Sequence, residues 1–187
     1  NPIEAITPAG VRTADGVVPT PNERISDECY APCARARLLD GDGRLRRILN
    51  TYARMSFNIG PTLFSWMESA DPATYRAILD ADRESQERLS GHGAAIAQAY
   101  GHAILPLATR RDKETQVRWG VRDFEWRFGR TPEGMWLSET AADTDTLETL
   151  AELDIKFTIL SPFQAGRVKE IGKRNSRDVS GGQIDPS

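Results

Sequence analysis

Cysteine, histidine and long apolar runs are all scarce in this chain. Its two cysteines among 187 residues, Cys29 and Cys33, lie four apart in Cys29-Tyr30-Ala31-Pro32-Cys33. No second Cys pair completes a metal site, so they read as a buried or reduced thiol pair. The two histidines, His92 and His102, stand ten apart and far downstream of the cysteines. That spacing is not the i, i+4 pattern of a helical metal motif, and no third ligand is nearby, so we expect no metal. No apolar run approaches the roughly 18 residues that would span a bilayer. The start, Asn1-Pro2-Ile3-Glu4, has neither a basic n-region nor an apolar core, and no signal peptide is visible. We therefore expect a cytoplasmic protein, although a trimmed secreted chain would look the same.

Charge of either sign is also not in large excess. Net charge is −3 with 27% charged residues, which gives no reason to expect a nucleic acid or a membrane surface as partner. The basic groups Arg44/Arg46/Arg47 and Arg110/Arg111 each have acidic neighbours and read as solvated helix surface. With 39% hydrophobic residues, the chain suits one compact domain or a large piece of one.

Residues 1–22 are rich in Pro, Gly and Thr with no sustained period, and are expected to form a loop or arm. A helix capped by Ser26 is expected to run to about Leu38, broken at Pro32, before an Asp40-Gly41-Asp42-Gly43 turn. Leu45, Ile48, Leu49, Tyr52 and Met55 keep helical spacing and predict an amphipathic helix. Ser56–Ile59 predicts a short strand, stopped by Gly60-Pro61. Helices are predicted from Thr62 to about Ser69 and from Asp71-Pro72 towards Leu89. Gly91–Ala108 reads as strand, loop and a rigid Ile104–Leu107 turn. From Asp112 a helix buries Val117, Val121, Phe124 and Phe128 and closes at Gly129. Glu133–Leu137 is a strand, and Asp143 or Thr144 caps a helix carrying Leu147, Leu150 and Leu153. Phe157–Leu160 is a further buried strand, and the chain from Arg167 to Asp185-Pro186-Ser187 is polar and glycine-rich without a closing element. Strands alternating with helices predict an α/β fold of parallel β/α units with flanking helices. Residues 23–187 form its single domain.

The chemistry concentrates in Arg130-Thr131-Pro132-Glu133-Gly134-Met135-Trp136-Leu137-Ser138-Glu139-Thr140. A carboxylate, Glu139, follows the C-terminal end of an apolar strand, where the loops of a β/α barrel converge on one mouth. Trp136, three positions earlier, is able to face a sugar ring. The plainer reading makes Glu139 part of the cap of the next helix. Trp66, Trp119 and Trp126 read as packed aromatics. Asn58, at the end of its strand, is a further site candidate.

The run "EGMWLSETAADTDTLETLAELDIKFTILSP" resembles the third sequence region of family 57 glycoside hydrolases. Earlier blocks, "NERISDECYAP", "ILNTYARMSFNIGPTLFSWME" and "DRESQERLSGHGAAIAQAYGHAILPLATRRDKETQVRWGVRDFEWRFGRTPEGMW", are similar to the subgroup with a further C-terminal domain of unassigned role. The resemblance covers residues 22 to 185 in the family's order. It implies a partial (β/α) barrel of the seven-stranded type that hydrolases and deacetylases share. It also implies Glu139 as nucleophile of a retaining enzyme on α-glucans, without cofactor. His92 and His102 correspond to the family's second region, which lines sugar subsites, and Trp136 stands beside the nucleophile. Three departures stand out. The His-x-His-like strand does not precede Asn1. Ser138 replaces a common Pro, and Phe163 replaces the His of a Pro-His-Gln run. The acid/base Asp of the family lies on a later strand, so this chain alone is expected to be inactive. Neither Asp143 nor Asp178 can be named as the second carboxyl. Two other readings stay open. One is a metal-dependent carbohydrate deacetylase using His92 or His102, although no His-x-x-x-His set is present. The other is a non-catalytic glycan-binding or structural module.

Overall fold

The computed structural model describes residues 3–7, 10–13, 16–170, 172–182 and 184, with side chains from residue 19 onward. The chain divides into two compact units, residues 1–96 with 123–130, and residues 97–122 with 131–187.

The first unit opens with three antiparallel strands, β1 (Ile3–Thr7), β2 (Gly10–Thr13) and β3 (Gly16–Val18), in the order β1-β2-β3. The expected loop thus carries three short antiparallel strands. Helix α1 (Pro21–Ile25) starts earlier than Ser26 predicts. Thr20 and Glu23 form a reciprocal capping box, with the Glu23 carboxylate accepting from Thr20 N–H at 2.6 Å. A π-helical turn, Ser26–Tyr30, leads into α2 (Ala31–Ala34). Both cysteines are free, and Cys29 is exposed rather than buried.

The helix predicted from Leu45 is a strand. β4 (Ala36–Leu39) and β5 (Leu45–Leu49) form an antiparallel hairpin around the expected Asp40–Gly43 turn. The Asp40 carboxylate accepts from the N–H groups of Asp42 and Arg44, and Gly43 takes φ +77°. That turn chemistry outweighs the 3.6-residue pattern. Leu45 and Ile48 remain exposed, and only Tyr52, in the 3₁₀ turn Thr51–Arg54 that follows, joins the core.

Helices α3 (Pro61–Ala70) and α4 (Pro72–Arg88) begin where their prolines predict. Asp71 caps α4 by accepting from Thr74 N–H. Burial raises the Asp71 pKa, but hydrogen bonds from Ser26 and Thr74 outweigh it and hold the carboxyl below its ordinary value. The unit's core is aromatic. Phe128 packs against Phe57, Phe64 and Phe124, with centroids 4.6–6.4 Å apart, and Phe64 meets Tyr75 edge-on. Phe57 pairs with Ala95 in an isolated parallel bridge, which is all that forms of the strand expected at Ser56–Ile59. Beside it, Asp82 is fully buried and bound by both the Nε and Nη2 of Arg130 at 2.9 and 2.8 Å. Gly93 is required there, since a β-carbon would lie 2.2 Å from the Arg130 guanidinium.

The second unit is built on β6 (Ala97–Gln98) and β7 (Met135–Trp136), paired in parallel, with a further parallel bridge from Gly134 to Phe157. Helix α5 (Arg110–Phe128) contributes its residues 110–122 here. It buries Val117 and approaches β6 so closely that a β-carbon at Gly120 would lie 2.1 Å from the Gln98 carbonyl oxygen. Gly129, at φ +67°, closes α5 as its sequence predicts. Asp143 caps α6 (Thr144–Glu152), and β8 (Arg167–Val168) with β9 (Arg177–Asp178) forms a small antiparallel pair.

Two expectations fail in detail. Phe157, Ile159 and Leu160 are exposed, because the segment makes one bridge rather than a strand enclosed on both sides. Trp119 is 55% and Trp126 65% exposed. Trp119 meets Tyr100 edge-on, and Trp126 lies 4.8 Å from the Arg127 guanidinium. The Asp185-Pro186-Ser187 ending lies outside the described residues. The architecture is α/β with few strands: β6–β7 and the two bridges are parallel, as the alternating pattern predicts, whereas the other three described sheets are antiparallel.

Candidate active site

β6 and β7 run in the same direction, with Ala97 opposite Met135 and Gln98 opposite Trp136. Their C-terminal ends therefore open on the same side, the side on which α/β folds place ligands. Beyond β7 the chain passes through buried Leu137 and Ser138 into the 3₁₀ turn Ser138–Thr140. Glu139 takes φ +56° and Thr140 φ +53°, both in the left-handed region that non-glycine residues rarely adopt. The turn closes through Thr140 N–H to Leu137 O and Ala141 N–H to Ser138 O, both 3.0 Å.

Beyond β6, His102 also has a positive φ, +53°, with its N–H donating to Ala99 O at 3.2 Å. Its Nε2 lies 3.5 Å from Oε1 of Glu139. Backbone strain of this kind gathers at functional sites, where surrounding structure holds it. Three of the five non-glycine positive-φ residues described, His102, Glu139 and Thr140, meet here. The pair is open to water: the Glu139 side chain is 71% and the His102 side chain 54% exposed.

Of the residues singled out in the sequence, Glu139, Trp136 and His102 belong to the second unit. Trp136 is half-buried in β7. Asn58, half-buried directly after the Phe57 bridge, and His92, exposed, belong to the first unit. The structure thus joins His102 to Glu139. Among the described residues, no group of three or more His, Cys, Asp or Glu is placed to hold a metal ion.

Two residues left aside in the sequence shape the surroundings of the turn. Lys113, only 3% exposed, reaches Asp143 at 3.2 Å and Asp145 at 2.6 Å, anchoring the start of α6. The Asp145 contact, ahead of that to Asp143, holds the ammonium pKa above its ordinary value. The Thr146 N–H, then Lys113, hold the Asp143 carboxyl below its ordinary value, and Lys113 and Arg110 do the same for Asp145. Arg110, expected as solvated surface, binds Asp145 at 2.7 Å and Glu152 at 2.5 Å. The second residue, Gln164, donates from Nε2 to Thr140 O at 2.7 Å. The sequence signal for Lys113 is its place on the apolar stripe of α5, one turn before Val117.

Neither Asp143 nor Asp178 has the raised pKa of a general acid. Asp178 accepts from the Ser180 hydroxyl and N–H, which hold its carboxyl below the ordinary value. A general acid needs the opposite shift.

The sequence profile of Glycosyl hydrolase family 57 matches residues 22–174. The chain belongs to that family. It is similar to Alpha-amylase 1 from Dictyoglomus thermophilum, at 27% identity over 99 residues, covering 52% of this chain and 13% of that protein. Among solved structures, it overlays the 4-alpha-glucanotransferase from Thermococcus litoralis with a TM-score of 0.47 at 20% identity, over 60% of this chain and 17% of that one. It overlays a branching enzyme of the same family type from the hyperthermophilic archaeon Pyrococcus horikoshii with a TM-score of 0.36 at 27% identity, over 52% and 20%. The chain therefore spans one fifth or less of the length of these relatives. Among the described residues, no helix is long and apolar enough to cross a membrane.

Proposed function

We propose that this chain carries the nucleophile of a retaining glycoside hydrolase or transglycosylase acting on α-glucans, with Glu139 in that role. Family membership and the amylase relative support the substrate class. The observation that carries the assignment is the placement of Glu139. It sits on a strained turn just past the C-terminal end of a parallel strand, with its carboxylate beside His102. In this reading residues 23–187 are part of a seven-stranded (β/α) barrel. Trp136 stacks on a sugar ring, and His102, His92 and Asn58 bind sugar hydroxyls.

The chemistry is a double displacement. The Glu139 carboxylate attacks the anomeric carbon as the glycosidic C–O bond breaks, and a second carboxyl about 5–5.5 Å away protonates the departing oxygen. Water or an acceptor sugar then releases the glycosyl group, with the second carboxyl now acting as base. We assign no residue of this chain to that second role, because the hydrogen bonds on Asp143 and Asp178 push both carboxyls the wrong way. The test uses an activated fluoro-glucoside that traps the glycosyl intermediate in the full-length protein, followed by peptide mass spectrometry. An adduct on Glu139 is expected, and an adduct on another residue overturns the assignment.

The 71% exposure of the Glu139 side chain favours one second reading, a glycan-binding or structural module whose carboxylate does no chemistry. Unchanged glycan binding after Glu139→Gln, with no turnover in the full-length protein, is its signature.

A further inference from the structure

We infer that Gln164 is a positioning residue for Glu139, an inference that rests on the nucleophile reading above. Glu139 and the β-branched Thr140 are consecutive residues at positive φ. L-residues with a β-carbon adopt that region at a steric cost, and β-branched ones least readily. Such a turn persists only where its surroundings over-determine it. Two of its restraints are internal, the N–H bonds of Thr140 and Ala141. The third comes from 24 positions away, where the Gln164 Nε2 donates to the Thr140 carbonyl at 2.7 Å.

Gln164 is itself fixed. Its N–H donates to Ser161 O at 3.0 Å, and its Oε1 accepts from Ser161 N–H at 2.7 Å within the capping box of the 3₁₀ turn Pro162–Gln164. The amide cannot be turned over. A carbonyl oxygen only accepts and a backbone N–H only donates, so the Gln164 oxygen must face Ser161 and its nitrogen must face Thr140. The two ends of one primary amide thus couple the loop after Leu160 to the Thr140–Ala141 peptide, the second peptide after Glu139. Holding the Thr140 carbonyl fixes the plane of that peptide, whose Ala141 N–H closes the turn on Ser138 O, and so restrains the left-handed Thr140 backbone next to Glu139. A carboxylate at position 164 keeps the acceptor for Ser161 and loses the donor for Thr140.

Gln164→Glu therefore separates positioning from capping. In the 187-residue chain, amide hydrogen exchange at Thr140 and Ala141 is expected to rise about tenfold in Gln164→Glu, the loss of one hydrogen bond's hold. Exchange at the Gln164 amide, which reports the capped turn, is expected to stay at the wild-type rate. Gln164→Ala, which removes both bonds, is expected to speed exchange in both places. In the full-length protein, Gln164→Glu is expected to lower kcat on malto-oligosaccharides about tenfold with KM nearly unchanged, the pattern that follows when a misaimed nucleophile weakens binding of the transition state alone. Wild-type exchange at Thr140 and Ala141 in Gln164→Glu overturns the inference. So does faster exchange with an unchanged kcat, or a change confined to KM. If Glu139→Gln retains wild-type turnover, the nucleophile reading fails and the positioning role falls with it, while the exchange rates still report whether Gln164 holds the turn.

Discussion

Nε2 of His102 stands 3.5 Å from Oε1 of Glu139 across 37 positions of sequence. Each residue follows the C-terminal end of one of two paired parallel strands, and each has a left-handed backbone conformation. The contact is long for a hydrogen bond and open to water, so it contributes little to folding. Its significance is geometric, since it brings an imidazole and a carboxylate to the same end of the same ladder.

The backbone of that turn makes a stability prediction. Thr140 is β-branched at φ +53°, which costs about 1–2 kcal/mol, whereas glycine accepts the conformation at an entropic cost of about 0.5–1 kcal/mol. Thr140→Gly is therefore expected to raise stability by about 0.5–1 kcal/mol, read from urea denaturation. A loss of stability would mean that the Thr140 side chain makes contacts worth more than the strain.

Two glycines should respond differently to the same added methyl. At Gly120 the β-carbon would meet backbone, the Gln98 carbonyl oxygen at 2.1 Å. At Gly134 it would meet the tip of the Phe157 ring at 2.3 Å, and that ring is exposed and free to rotate away. Gly120→Ala is expected to destabilise by about 2–3 kcal/mol and Gly134→Ala by about 1 kcal/mol or less. Equal losses would refute the distinction between backbone and side-chain obstacles.

Acid should loosen the Lys113 cluster. The folded-state pKa values of Asp143 and Asp145 lie below their ordinary 3.8. Carboxyls of this kind contribute stability that is present above the unfolded value and lost as pH falls through the lowered folded one. Lys113 behaves oppositely: its pKa lies above the ordinary 10.5, so its contribution is present below that value and lost as pH rises through the raised one. Lys113→Met should lower the urea midpoint at pH 7 and flatten its fall as pH drops below the ordinary carboxyl value of 3.8. A wild-type acid profile in the variant would assign acid sensitivity to other carboxyls.

Local signals were legible where one residue sets one boundary. Pro61, Asp71-Pro72, Gly129 and Asp143 all mark the helix ends they predict, because caps and breakers act within a few residues. The Leu45 stripe misled because a hairpin turn four residues upstream recruits Leu38 and Leu39 as pairing partners, which helical periodicity does not register. Trp119, Trp126 and Phe157 misled for a different reason. Hydrophobicity predicts a preference for burial, but whether another element covers a residue is decided elsewhere in the chain. At the site, Glu139 and Trp136 were visible as a motif at the end of a strand. The contacts of His102 with Glu139, of Lys113 with Asp145 and of Gln164 with Thr140 span 24 to 37 positions, and no local pattern encodes them.

The buried Asp82–Arg130 pair has a consequence for how the first unit's parallel bridge ends. The Ala94 carbonyl and the Ile96 N–H are spent on Phe57, which leaves the N–H and C=O of Ala95 facing away from that partner. Asp82 accepts the Ala95 N–H and Arg130 donates to its carbonyl, both at 2.8 Å. Two side chains thereby imitate the edge of a neighbouring strand at Ala95. A one-residue slip of this segment would present the wrong peptide groups to a carboxylate sealed from water, so the charges act as a key that admits a single alignment.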